Sequence, residues 1–144
     1  MITIKDKLTS AETGKLWAVY MGNSLFLQVL RFNLHHCEDE EIKQLVKESI
    51  NYCSKFDKAI QSFFQQENFP MPQGFTEKDL KVDAPKLFAD EFLLFYLKYV
   101  NKAALSLYST ALPLMTRKDV REFITDCLQS SIKLINQVNE VLIS

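Results

Sequence analysis

The chain has 144 residues, 47% hydrophobic and 24% charged, with only three glycines and four prolines; this composition excludes a disordered, collagen-like or low-complexity chain and suits one compact core. Seventeen basic residues against eighteen acidic ones give a formal net charge of -1, so the electrostatic footprint of a nucleic-acid binder is missing. Cys37, Cys53 and Cys127 are odd in number and widely spaced, which matches neither a disulfide framework nor a Cys-x-x-Cys metal or redox motif and is read as reduced thiols of an intracellular protein.

Met1 to Lys7 carries charges and no apolar run, so no secretory signal is expected. Thr9-Ser10-Ala11-Glu12 then has the spacing of a capping box, in which the Thr hydroxyl and the Glu carboxylate satisfy free amides at a helix start. Helix 1 is expected from about Ser10 to Cys37. Its longest uncharged stretch, Leu16 to Leu30, is 15 residues long and contains Asn23, Ser24 and Gln28, whereas a membrane span needs about 20 apolar residues; it reads as a buried helix. Gly14 and Gly22 within it read as sites of close helix contact.

Glu38, Asp39, Glu40 and Glu41 suit the positive end of a helix dipole and open helix 2. Ile42, Val46, Ser49, Cys53, Phe56, Ile60 and Phe63 follow at helical spacing, and the helix should end before Asn68-Phe69-Pro70. Pro70, Pro72, Gly74 and Pro85 punctuate one long connection in which Thr76-Glu77-Lys78-Asp79 can make a single turn. Helix 3 is expected from near Pro85 to about Met115, with Pro113 bending or fraying its last turn. Thr116-Arg117-Lys118-Asp119 resembles an N-cap. Val120, Phe123, Ile124, Cys127, Ser131, Leu134, Ile135, Val138 and Leu142 line one face of helix 4.

Short joints force helices 1 and 2, and helices 3 and 4, into antiparallel hairpins. Residues 68 to 86 span up to about 60 Å when extended, against about 40 Å for a helix of this length, so the connection can cross the whole bundle. The expected fold is all-α: one four-helix-bundle domain over residues 1–144, up-down-down-up in the ferritin-like manner, with the crossover between helices 2 and 3. An up-down-up-down bundle with a slack loop is the alternative.

Helices 1 and 3 carry more apolar surface than one core face requires. Helix 1 has two stripes, one through Leu16, Val19, Phe26, Leu27 and Leu30, the other through Ala18, Met21, Leu25, Val29 and Phe32. Helix 3 has a broad arc through Phe88, Phe92, Phe95, Tyr96 and Tyr99 that continues over Leu93, Leu97 and Val100. In the up-down-down-up arrangement these helices are neighbours, so the surplus predicts a homo-oligomer, a dimer, through Ala18, Met21, Leu25, Phe92, Tyr96 and Tyr99. A tilted monomer whose crossover covers the surplus is the competing reading.

Catalytic chemistry is hard to place. A di-iron bundle needs inward carboxylates and Glu-x-x-His pairs, but the chain contains no such pair, and its two histidines, His35 and His36, are adjacent at the end of helix 1. His36 and Glu40 could form a metal or small-ligand site at the helix 1 to helix 2 corner, but the stronger reading is that both complement the helix dipoles without any ligand. Cys53 and Cys127 lie on predicted core faces away from the histidines, and Asp90, Glu91, Arg117, Arg121 and Glu122 read as solvated caps and salt bridges. No catalytic residue, metal or cofactor is therefore assigned.

Leu8-Thr9-Ser10-Ala11-Glu12, Leu16-Trp17 with Tyr20-Met21-Gly22-Asn23-Ser24, His36 with Asp39 and Glu41-Ile42, Glu67-Asn68-Phe69-Pro70, Gly74-Phe75-Thr76, Asp90-Glu91-Phe92 and Thr116-Arg117-Lys118-Asp119-Val120-Arg121 together resemble the DUF3231 family. That family comprises uncharacterised proteins of spore-forming bacilli similar to spore coat protein F. The resemblance covers nearly the whole chain. It implies a ferritin-like bundle and a non-enzymatic structural or assembly protein of the spore coat, with other coat proteins as further partners and no membrane or nucleic-acid partner. Many family members hold two such domains in tandem, so pairing of two chains could replace the tandem contact. A bundle that binds a metal or small ligand near the histidine corner is the alternative function.

Overall fold

The computed structural model describes residues 7–144; the expectation drawn from the N-terminal charges falls on residues 1–6, outside the described part. Four α-helices make up the described residues: α1 (Ser10–His36), α2 (Glu40–Gln66), α3 (Asp90–Ala111) and α4 (Lys118–Ile143). A 3-10 turn over Glu77–Asp79 interrupts the long connection, and a second, Leu112–Leu114, ends α3 at Pro113 as the sequence predicts.

The caps explain the boundaries. Thr9 Oγ1 accepts from the Glu12 amide at 3.1 Å while Glu12 Oε1 accepts from the Thr9 amide at 2.9 Å, completing the capping box. Asp39 Oδ1 accepts from the Glu41 and Ile42 amides at 2.9 and 3.0 Å and starts α2. Two boundaries differ from expectation. Helix α3 begins at Asp90, five residues after Pro85, because the Asp90 carboxylate holds Lys86 at 2.7 Å and the Glu38 and Asp39 amides at 3.0 and 2.9 Å, which fixes the lead-in as an extended strap. Helix α4 has no side-chain cap, because the Thr116 hydroxyl donates to Glu12.

These contacts also set the helix directions. Asp90, at the start of α3, touches the start of α2, so the two helices run parallel and the connection crosses the bundle. At the opposite end, Glu12 at the start of α1 accepts from the Thr116 and Arg117 amides, both at 3.1 Å, so α1 and α4 run parallel. The order is up-down-down-up.

The core has two apolar halves. Leu16, Ile60, Phe64, Val120 and Ile124 anchor the half near Glu12; Leu30, Val46, Leu97 and Val138 anchor the half near Asp90. On α1 the Leu16–Leu30 stripe faces inward, and the Ala18–Leu25 stripe faces out. The crossover packs on a third, polar flank. Ser24 Oγ donates to Met21 O at 3.2 Å and accepts from the Phe75 amide at 3.1 Å. At Gly74 an added Cβ would meet Ser24 Oγ at 2.8 Å and Tyr20 Cε1 at 3.1 Å, so only glycine lets the backbone come this close. The other glycine expectation fails. A Cβ at Gly14 or Gly22 would meet nothing within 4 Å, because the outward flank of α1 has no helix packed on it at either position.

Two stability predictions follow from these joints. Glu12 is fully buried. Burial raises its pKa, but the hydrogen bonds from Thr9, Arg117 and Thr116 outweigh that and hold it below its ordinary 4.5. Its contribution is therefore present above that value and is lost as pH falls through the lower folded-state value. Glu12→Gln should lower stability by about 3 kcal/mol at neutral pH and flatten the acid limb of a urea-unfolding series run against pH. Gly74→Ala should cost about 1 to 2 kcal/mol in the same assay by forcing the crossover away from Ser24 and Tyr20.

Candidate functional site

Three places could carry function: the histidine corner, the outward face of α1 and α3, and the centre of the bundle.

At the corner, the structure does not bring His36 and Glu40 together as ligands. His36 Nε2 lies 3.0 Å from Val82 O of the crossover, and its ring packs on Phe32 at a centroid distance of 4.5 Å. Glu40 is exposed, with its carboxylate 3.7 Å from Lys43 Nζ. Among the described residues no three His, Cys, Asp or Glu side chains gather into a metal-holding group. The corner's order comes from Asp90 instead, whose pKa is lowered by its hydrogen bond to Lys86 and by the two backbone amides.

The six residues predicted as an interface lie on one side of the bundle. Ala18, Leu25, Phe92 and Tyr99 are exposed, Tyr99 at 71% and Leu25 at 50%, while Met21 is half-buried. Tyr96 is also half-buried, its ring 5.7 Å from Phe26 across the α1–α3 seam, where burial pushes its phenol up to about 12. Phe88 stacks on Phe92 at 4.4 Å, and both stay uncovered. Leu25 on α1, Phe88 before α3 and Phe92, Phe95 and Tyr99 on α3 are large side chains left exposed, the kind of surface that partners cover.

The centre holds what the sequence reading missed. Where the two apolar halves meet, α1 and α3 stand apart around a cavity of about 210 Å³. Asn23, Ser49, Asn101 and Ser131 line it among apolar neighbours. Ser49 Oγ donates to Leu45 O at 3.0 Å and Asn101 Nδ2 to Leu97 O at 2.8 Å, each within its own helix. Asn23 Nδ2 and Asp57 Oδ1 are buried without a hydrogen-bond partner. The Asn23 amide nevertheless lies near enough to the Asp57 carboxyl and the Tyr108 phenol to favour their ionised forms, against burial that disfavours them. Burial wins, and the Asp57 carboxyl is raised to about 7. Burial likewise pushes the Cys53 thiol up to about 12 and raises Cys127 and Cys37, so all three free thiols are held in the protonated, unreactive form.

A second polar centre forms the salt bridges expected of it, but away from solvent. Arg117 is buried, not solvated, and its guanidinium spans Glu67 at the end of α2, at 2.5 Å, and Asp119 in the first turn of α4, at 2.6 Å. Its buried, bidentate geometry marks a structural clasp.

Comparison with known proteins agrees with this architecture. A family model described as "Protein of unknown function (DUF3231)" matches residues 1–144, so the chain belongs to the DUF3231 family. A solved structure called a "putative spore coat protein", from Bacillus halodurans C-125, superposes with a TM-score of 0.83 at 16% identity, covering 94% of this chain and 88% of that one. A DUF305 fragment from Deinococcus radiodurans gives a TM-score of 0.79 at 11% identity, covering 95% of this chain and 98% of that one. At these identities the likeness is one of fold. No curated protein matches the sequence. No helix among the described residues is long and apolar enough to cross a membrane.

The raised Asp57 pKa fixes a pH dependence. The folded protein holds this proton between the ordinary 3.8 and about 7 while the unfolded chain releases it, so stability falls as pH rises through that window and levels off above it. Asp57→Asn removes the titration. Its stability relative to the parent should be lowest near pH 4 and rise by about 2 kcal/mol by pH 8, as measured by thermal unfolding at matched ionic strength.

Proposed function

We propose, with membership of the DUF3231 family as the premise, that this protein is a non-enzymatic structural or assembly component of the spore-coat type that self-associates through the outward faces of α1 and α3. The observation that carries this reading is the uncovered aromatic and aliphatic face itself: Leu25, Phe88, Phe92, Phe95 and Tyr99 are all between 45% and 71% exposed. A helix that already buries Leu93, Leu94 and Leu97 has no need of further aromatics on its water side for the fold. Such side chains gain free energy only when another surface covers them.

Two observations support the coat assignment. The spore-coat description of the structural neighbour and the fold it shares with this chain point the same way. The chemistry at hand favours a passive role: burial keeps the thiols protonated, and each candidate of the histidine corner is engaged by a structural partner. An isologous pair would set the α1–α3 face of one copy against the same face of another, each needing to bury about 800 Å².

The test is the oligomeric state, with the surface altered and the core left alone. In sedimentation velocity at micromolar concentration the parent chain should run as a dimer or larger. Leu25→Glu and Tyr99→Glu, each at an exposed position and each expected to change subunit stability by only about 0.5 kcal/mol, should run as monomers. A monomeric parent would end the self-association reading. A fluorescent fusion in a spore-forming bacillus should be made during sporulation and retained on the spore surface; vegetative expression with none retained would end the coat assignment.

A further inference from the structure

The centre of the bundle is built as a container. An apolar cavity of about 150 Å³ holds a benzene ring, and the space here is about 210 Å³. Its side toward α1 and α3 is made of small residues, Ala18, Gly22, Ala103 and Ala104. Ala18, Gly22 and Ala103 are exposed, and a Cβ on Gly22 would still meet nothing within 4 Å, so the α1–α3 seam is an entrance. The deeper wall includes Phe56 and Tyr108, flat rings against which another ring can lie.

Seven lining residues carry a hydroxyl or side-chain amide, Asn23, Ser49, Tyr52, Asn101, Tyr108, Ser130 and Ser131, and of these Asn23 holds a buried atom without a partner. Asn23 lines the cavity and its Nδ2 is a buried donor without an acceptor; Asp57 beside it has a buried oxygen, Oδ1, in the same state. Ser49 Oγ and one N–H of Asn101 Nδ2, also in the wall, donate to carbonyls of their own helices. Ordered water needs two to four polar partners, and most of this wall offers none. Among the described residues no Lys, Arg or His lines the cavity, so an anionic ligand would go unmatched, and an ammonium would require Asp57 to ionise where burial opposes it.

We propose that this cavity binds one small uncharged molecule of the phenol class, a ring-sized apolar body bearing a single hydroxyl group, which enters through the α1–α3 seam and places its hydroxyl on the unpaired Asn23 amide. The hydroxyl accepts from Asn23 Nδ2. The ring fills the space between the alanines and the Phe56 and Tyr108 rings. No bond is made or broken. The cavity and its polar groups are present in the single chain, whether or not it self-associates.

The probes are phenol and toluene, added to the purified full chain and followed by calorimetry and by amide shifts in two-dimensional NMR. Phenol should bind saturably at one site, with the largest shifts at Gly22, Asn23 and Asn101, and toluene should bind about fivefold more weakly for want of one hydrogen bond. Asn23→Leu should reverse that preference. Ala104→Leu, which fills the interior, should abolish binding of both; Gly22→Leu, which narrows the mouth where space is open, serves the same purpose if the first variant does not fold. Absence of saturable phenol binding, or binding unchanged in a folded cavity-filling variant, would overturn the site. Equal affinity for phenol and toluene, unmoved by Asn23→Leu, would overturn the role given to Asn23.

Discussion

The direction of every helix rests on two carboxylates that accept backbone amides from a turn of the opposite hairpin. Glu12 of α1 holds the Thr116 and Arg117 amides between α3 and α4, and Asp90 of α3 holds the Glu38 and Asp39 amides between α1 and α2. Tight turns leave such donors without partners, and a charged acceptor satisfies them better than a neutral one. In an up-down-up-down bundle α3 would begin beside Glu67, Asp90 would lie a helix length from Glu38, and Glu12 would be buried facing no donor. The joints therefore select one topology and penalise the other, which hydrophobic packing alone does weakly because the same stripes fill either bundle.

With directions fixed, the crossover has to run the length of the bundle, and its route decides which surfaces remain open. It lies along the polar flank of α1, where Ser24 takes the Phe75 amide and Gly74 sits against Ser24 and Tyr20. Ser24 and Gln28 are buried as a result, while Leu25, one position from Ser24, is half exposed. Away from its core stripe of Leu16, Val19, Leu27 and Leu30, this helix thus buries a polar flank and exposes an apolar one. The crossover covers hydrogen-bonding groups and leaves the greasy stripe to be covered by something else.

The sequence made the bundle legible because its signals are local: the capping box at Thr9 and Glu12, the acidic run that ends at Asp39 and Glu41, the prolines of the crossover and the Pro113 stop each act within a few residues. Even the crossover follows from chain length, since a connection of that reach between two short-jointed hairpins can span the bundle. What the sequence does not show at Thr116, Asp90 and Arg117 has a common cause. Each side chain has the type and position of a local cap or a charge in a salt bridge, and Asp90 keeps its pair with Lys86 and Arg117 its pair with Asp119, but each also gains a partner more than thirty residues away. The central cavity was hidden differently. Asp57 keeps the helical register of Cys53, Ile60 and Phe64, so its place on the core face could be read; that Asn23 would stand beside it on another helix, both unpaired, depends on the relative height of α1 and α2, which no spacing within either helix encodes.

A buried carboxyl at mid-bundle lowers stability at neutral pH, and an apolar side chain at position 57 would pack where Asp57 leaves an oxygen unpaired. Departures of this kind from the most stable sequence are where function is found in otherwise consistent folds. The cavity near Asp57 opens on the α1–α3 seam, and Ala18 belongs both to that cavity and to the outward stripe of α1. A second copy seated on the α1–α3 face would cover the mouth of the cavity. Occupancy and pairing would then be linked through one surface: a ligand taken up by the single chain would be enclosed by assembly, and a chain already paired would exchange ligand slowly.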